Sequence, residues 1–259
     1  MSDPIVYDRQ GAVAWLTLNR PEAGNAIDVA LARALFDAVT AADEDAGVRC
    51  IVIRGHGRLF CAGGDVGQLH AAGDDRPKLL DEILSWLHPA MLRLAQMEKP
   101  VVTAIHGPAA GAGLSLAAIG DIALAEPAAH FTMAYSKIGL TPDAGATWLL
   151  PRLVGLRRAQ ELALTNRRLS AAEAAEIGLI TRVVAEGGLT AEAEAVASTL
   201  AASAIGAIGK TKRLLSASGG SLRDQLDAER ATIVTQGASE ESRIGFSAFI
   251  ERRAADFTI

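Results

Sequence analysis

Aromatic residues are scarce in this chain: three Trp, two Tyr and six Phe make up 4% of 259 residues. Basic residues are not in excess either, since 25 Lys and Arg face 30 Asp and Glu, for a formal charge of −5. Those two shortages argue against a general nucleic-acid binder, which needs a basic patch, often interleaved with aromatics. Cysteine is nearly absent. Cys50 and Cys61 supply neither a disulfide framework nor a zinc-ligand set, and a reducing, cytoplasmic compartment is expected. The five histidines share no metal-like spacing with carboxylates, so no metal site is expected. Uninterrupted apolar runs are also missing. The longest apolar region, residues 101–125, contains His106, Pro108, several glycines and Asp121, whereas a membrane-spanning helix needs about 20 consecutive apolar residues. Met1-Ser2-Asp3-Pro4 lacks the basic-then-apolar order of a signal peptide. No membrane attachment is expected.

What is present is a chain that is 50% hydrophobic and 21% charged, long enough to bury roughly 70–75% of its surface. An apolar, β-prone run at Val13–Leu18 predicts a first strand, closed by Asn19-Arg20-Pro21. Asp28 is placed to cap a helix bearing Leu31, Leu35 and Val39 at four-residue spacing. Cys50-Ile51-Val52-Ile53 is wholly apolar, as in a strand covered on both faces. Residues 69–77 are small, polar or charged and predict a mobile loop, followed by a helix over 78–97. Strands are predicted at 101–105, 121–125 and 130–133, with a glycine turn and a helix between the first two. Strands alternating with helices predict an α/β fold. Beyond residue 149 the pattern becomes helical, at 156–164, 171–177, 190–202 and 222–236, with one last extended piece at 178–184.

Some motifs lead nowhere. Gly113-Leu114-Ser115-Leu116-Ala117 is one glycine short of a nucleophile elbow, and Ser115 is expected to bond locally within a helix. Gly209-Lys210-Thr211 lacks the upstream glycine of a phosphate loop, since position 204 is Ala204. Two glycine-bearing turns remain: Cys61-Ala62-Gly63-Gly64-Asp65 and Ala109-Ala110-Gly111-Ala112-Gly113. Each sits between a strand and a helix, where small residues let backbone N–H groups approach a ligand. Two such turns side by side form an oxyanion hole; the alternative is that their glycines serve tight turns and close packing only. Asp143 is the single carboxylate between Glu126 and Glu161. Burial would raise its pKa and suit it to general-base work; the alternative is a helix N-cap.

The two turns, the segment around Asp143 and Leu169-Ser170-Ala171-Ala172-Glu173-Ala174-Ala175-Glu176-Ile177-Gly178-Leu179-Ile180, in this order, resemble the crotonase (enoyl-CoA hydratase/isomerase) superfamily over nearly the whole chain. The resemblance implies a spiral of ββα units over residues 1–195, with a C-terminal helical trimerisation subdomain over 196–259. It implies an acyl-CoA ligand with no separate cofactor, coenzyme A entering as part of the substrate, and assembly into a homotrimer or hexamer. It also implies that Ala62 and Ala112 donate their N–H groups to the thioester oxygen. Gly63, Gly64, Asp65, Gly111, Tyr135 and His88 would then contact the substrate.

One departure matters. The two glutamates that family hydratases use to activate water align with Ser115 and Tyr135, and neither is a carboxylate. The run from Ser136 to Asp143, followed by Thr147-Trp148-Leu149-Leu150-Pro151-Arg152, is similar to the ring 1,2-epoxyphenylacetyl-CoA isomerase subgroup, in which the aspartate is the acid/base. That similarity implies isomerisation through an enolate, with Asp143 moving the proton. A second subgroup, the 4-chlorobenzoyl-CoA dehalogenases, also places an aspartate here and a histidine near His88, but has tryptophan where Tyr135 stands. A degenerate, binding-only protein is a third reading. Lys212 and Phe249 are taken as surface charge and core respectively.

Overall fold

Runs of β-branched and large apolar residues form the centre of the molecule in this computed structural model, which describes residues 3–258; Met1 and Ser2 of the N-terminal reading lie outside the described residues. The elements in chain order are β1 (Ile5–Gln10), β2 (Val13–Leu18), α1 (Val29–Glu44), β3 (Cys50–Gly55), α2 (Val66–Ala71), α3 (Arg76–Gln96), β4 (Val101–Ile105), β5 (Ala109–Ala110), α4 (Ala112–Ala118), β6 (Ile122–Ala125) and β7 (His130–Thr132). There follow α5 (Ala146–Val154), α6 (Leu156–Thr165), β8 (Leu169–Ser170), α7 (Ala171–Glu176), β9 (Arg182–Val183), α8 (Leu189–Ala201), α9 (Ile205–Ala217), α10 (Leu222–Gly237) and α11 (Glu240–Ile250).

The large sheet has the order β1-β2-β3-β4-β6-β9 and the small one β5-β7-β8. Among the described residues only β1–β2 and β7–β8 pair antiparallel. Two successive units, β4-β5-α4 and β6-β7-α5, send one strand to each sheet before the chain turns into a helix, as in the spiral of ββα units expected. Strand β2 is buried at all six positions because both faces are covered. On one face Leu16 and Ile53 meet α1 and α3 in the main core. On the other, Trp15, Val52, Val102 and Leu124 meet α8, whose Ala193 and Ala197 are fully buried and let the helix lie close. Among the described residues no single helix is long and apolar enough to cross a membrane.

Several expectations change. Strand β1 precedes the predicted first strand; it is an edge strand with one buried residue, Ile5, so its sequence carries little apolar signal. Residues 69–77 are not a loop: α2, a 3-10 turn over Gly73–Asp75 and the start of α3 occupy them. Pro77 lies in the first turn of α3, where its missing N–H costs nothing, and Arg76 Nε holds the turn by donating to Leu69 O at 2.9 Å. Helices α5, α9 and α11 were not delimited in the sequence; Pro151 interrupts the first and Gly206 and Gly209 the second. The expected boundary between residues 195 and 196 cuts α8, a continuous helix packed on the sheet, so the projecting helical segment starts after Ala201.

Lys212 and Phe249 exchange their expected environments. Phe249 is 80% exposed, whereas Lys212 is buried. The Lys212 ammonium pairs with Asp121 at 2.8 Å and donates to Leu94 O at 2.8 Å, tying α9 to the main body. Asp121 in turn accepts from Val101 N at 2.8 Å, at the start of β4. Lys212→Met is expected to lower stability by about 3 kcal/mol, the low end for breaking a buried pair, because it strands a carboxylate and a carbonyl. Chemical denaturation measures this; a change below about 1 kcal/mol, the range of an exposed pair, would contradict the clamp.

Candidate active site

The two glycine turns are joined back to back. Cys61 N donates to Pro108 O at 3.2 Å and Ala110 N to Cys61 O at 3.0 Å. The contact needs glycine on both sides. At Gly63, φ is +91° and a Cβ would lie 2.7 Å from Ala110 O; at Gly113 a Cβ would lie 2.3 Å from Cys61 O. Close packing is therefore one function of these glycines. It also presents backbone donors to a common cavity of about 80 Å³, lined by Ala62, Gly63, Gly64, Gly111, Ala112, Tyr135 and Asp143.

Which N–H groups are free is decided by the local pairing. Ala62 N–H is committed: it donates to Gly24 O at 3.0 Å. Two residues later the chain forms a parallel bridge with Ile27, through Ile27 N to Gly63 O at 2.7 Å and Asp65 N to Ile27 O at 3.0 Å. That bridge uses the carbonyl before Gly64 and the N–H after it. Among the described residues Gly64 N–H has no acceptor, and neither does Ala112 N–H, which opens α4. The expected donor Ala62 is thus corrected to Gly64, while Ala112 keeps a free N–H.

Asp143 faces the same cavity. It is not a helix cap: the cap of α5 is Gly145, and Asp143 contributes only a backbone carbonyl, which accepts from Ala146 N at 3.0 Å. Its carboxylate Oδ1 accepts from Tyr135 Oη–H at 2.6 Å. Oδ2 makes no hydrogen bond to another residue among those described. Burial raises the pKa of Asp143 above the ordinary carboxylate range, against the opposing pull of the Tyr135 hydrogen bond and the nearby His88. Burial, and then the Asp143 charge, raise the Tyr135 pKa as well, so the phenol stays a donor. Ser115 lies near that phenol but, contrary to expectation, its fully buried hydroxyl has no hydrogen-bond partner among the described residues.

Two expected contact residues lie elsewhere. Asp65 caps α2 by accepting from Gln68 N at 3.1 Å and pairs with Arg20 at 3.3 Å; its carboxylate shapes the turn and does not line the cavity. His88 lines a second cavity, behind Asp143, and its Nε2 accepts from Ala144 N at 3.3 Å. Burial pushes the thiol of Cys61 up to about 12, so it is no nucleophile at neutral pH. Among the described residues no group of His, Cys, Asp or Glu side chains could hold a metal ion. The arrangement is one desolvated carboxylate with a free oxygen, facing two free N–H donors in an apolar cleft. It suits removal of a proton from a carbon acid whose anion is held by those donors.

The family model for enoyl-CoA hydratase/isomerase matches residues 8–259. The chain is 39% identical over 260 aligned residues, 100% of this chain and 99% of its relative, to a 1,2-epoxyphenylacetyl-CoA isomerase of Escherichia coli. It is 37% identical to a probable enoyl-CoA hydratase of Rhodobacter capsulatus, covering 98% of this chain and 97% of that one. A crystal structure of an enoyl-CoA hydratase/isomerase from Mycobacterium abscessus superposes with a TM-score of 0.92 at 34% identity, covering 98% of each chain. With a family model spanning nearly the full length and a fold shared at that level, this chain belongs to the enoyl-CoA hydratase/isomerase family of enzymes.

Proposed function

We propose that the protein is an acyl-CoA isomerase acting through an enolate, with Asp143 as the acid/base and Gly64 and Ala112 as the oxyanion donors. The observation that carries this reading is the pairing of one desolvated carboxylate with positions Ser115 and Tyr135, where family hydratases carry glutamates. With a 3-enoyl-CoA, Asp143 Oδ2 takes a proton from the carbon beside the thioester. The electron pair moves onto the thioester oxygen, which the two N–H groups receive, and the same proton returns two carbons further along. The conjugated 2-enoyl-CoA results, and nothing is added or lost. A ring epoxide, as in the Escherichia coli relative's name, is an alternative substrate for the same oxyanion pair. Hydration needs a second carboxylate to position water, and among the described residues Asp143 alone lines this cleft as a carboxylate. A dehalogenase would need His88 in the cleft, but His88 faces the other cavity.

The reading needs no cofactor apart from the coenzyme A of the substrate, and it places the enzyme in the cytosol as a homotrimer or hexamer. Support for assembly comes from α10 and α11, where Ile233, Phe246, Phe249 and Ile250 are 70–80% exposed. The test is a paired assay that follows conjugation of a 3-enoyl-CoA and hydration of a 2-enoyl-CoA. Rapid hydration without isomerisation would sink the proposal.

Tyr135→Phe is a finer test. The hydroxyl lowers the Asp143 pKa against the rise caused by burial. Its loss is expected to move the acidic limb of the kcat/KM profile to higher pH, since the carboxylate then ionises later. An unmoved limb would show that Asp143 does not govern the profile.

A further inference from the structure

The proposed reaction gives Ser115 no part. Its side chain is fully buried in α4, and its hydroxyl has no hydrogen-bond partner among the described residues. Such a hydroxyl is destabilising, native interiors hold few of them, and alanine here would also suit the helix better. Departures of this kind gather at functional sites.

Backbone geometry sets this hydroxyl beside the phenol of Tyr135. A Cβ on Gly111, the N-cap of α4, would lie 3.8 Å from Tyr135 Cζ, the ring carbon that bears the phenol oxygen. Ser115 follows four residues later, one turn along the helix. Helical side chains lean towards the N-terminus, here towards that phenol. Tyr135 lines the cleft and Ser115 does not, so the serine reaches a bound ligand only through the phenol. The phenol oxygen gives its proton to Asp143 Oδ1 at 2.6 Å and accepts none from another of the described residues. An oxygen that lacks a donor thus stands beside a hydroxyl that lacks an acceptor.

We propose that Ser115 is a positioning residue, whose hydroxyl donates to Tyr135 Oη when an acyl-CoA fills the cleft and completes a relay from Ser115 through Tyr135 to Asp143 Oδ1. Hydrogen bonds at catalytic sites are often open in the unliganded enzyme and tighten on the substrate. A phenol that accepts one bond donates a stronger one. The relay steadies the ionised Asp143 and keeps Oδ1 occupied, which leaves Oδ2 to meet the carbon acid. Among the described residues the titratable groups that bear on Asp143 are Tyr135 and His88; the other residues lining the cleft are apolar or glycine. The inference rests on the assignment of Asp143 as the acid/base.

The test is carbon-13 NMR of aspartate-labelled protein saturated with butanoyl-CoA, the Asp143 carboxyl signal being identified by its loss in Asp143→Asn. The titration midpoint of that signal is compared in the wild type, Ser115→Ala, Tyr135→Phe and the double variant; His88 is common to all four. Ser115→Ala is expected to raise the midpoint by on the order of 0.3 pH unit, a modest fraction of what one charge-assisted hydrogen bond supplies. Tyr135→Phe should raise it further, and the double variant should match Tyr135→Phe. An unmoved midpoint in Ser115→Ala, or a Ser115 effect that persists without the phenol, would overturn the relay. Ser115→Ala should also melt no lower than the wild type, since it removes an unpaired hydroxyl. A lower melting temperature would give that hydroxyl a structural bond and overturn the relay too. Isomerisation of 3-hexenoyl-CoA separates the two ideas. If it depends on Asp143 but the midpoint ignores Ser115, the relay alone fails. If Ser115 moves the midpoint through Tyr135 but no 3-enoyl-CoA is isomerised, the isomerase reading alone fails.

Discussion

Asp143→Asn is expected to lower kcat/KM for the double-bond shift by about 10²–10⁴, the usual contribution of a positioned general acid/base. The same substitution should leave the protein at least as stable at neutral pH. Asparagine keeps an oxygen for the Tyr135 hydroxyl, now 2.6 Å from Oδ1, and removes the cost of an ionised carboxylate in a desolvated cleft. The direction of that cost follows from the raised pKa of the folded state. A group that holds its proton more tightly when folded favours folding at low pH. That advantage is lost as pH rises from the unfolded value, about 3.9, through the folded one. The wild type therefore carries a penalty towards neutral pH that the variant lacks. Melting temperatures measured across pH check this: the variant should melt higher at neutral pH, with the gap closing as the solution is acidified. Loss of both activity and stability at neutral pH would indicate a structural residue instead of a base.

The sequence shows where the turns lie but not how their amides are directed. Gly63, Gly64, Gly111 and Ala112 are legible because the tight approach of two turns leaves small residues at fixed places, and the structure brings them to one cavity. The choice between Ala62 and Gly64 as donor depends on the bridge to Ile27 and on the Gly24 carbonyl. Those partners sit in the segment before α1, and no local spacing reveals them. Lys212 was hidden for the same reason, since its partners Leu94 and Asp121 lie far away in the chain. The strands at the centre were readable as apolar runs because both sheet faces are covered. Strand β1 was not, because an exposed edge leaves no apolar alternation. Asp143 stood out as an isolated carboxylate, yet its pairing with Tyr135 depends on the chain reversing between them, through the 3-10 turn at Tyr135–Ile138 and left-handed Gly139.

Gly64→Pro, which deletes one of the two free donors, is expected to reduce kcat by about 10²–10³, the loss measured when a single oxyanion donor is removed elsewhere. KM should change little, because the donor is needed most where charge develops on the thioester oxygen. The substitution breaks no backbone hydrogen bond within the chain. Gly64 lies outside the left-handed region, and both hydrogen bonds to Ile27 are made by its neighbours. Gly64→Ala separates donor from volume: its Cβ would meet only Leu69 Cδ1, at 3.7 Å, and the N–H remains, so kcat should stay near the wild-type value. Ala62→Pro offers the opposite contrast. It breaks the 3.0 Å bond to Gly24 O and strands a carbonyl, so it should cost about 1–3 kcal/mol of stability, with kcat per folded molecule far less affected than in Gly64→Pro. Steady-state kinetics on the three variants, each normalised to the folded fraction, decide the matter. Equal losses in Gly64→Ala and Gly64→Pro would assign the effect to crowding in the cleft. A large kcat loss confined to Ala62→Pro would return the donor to Ala62 and require the turn to reorganise when the acyl group binds.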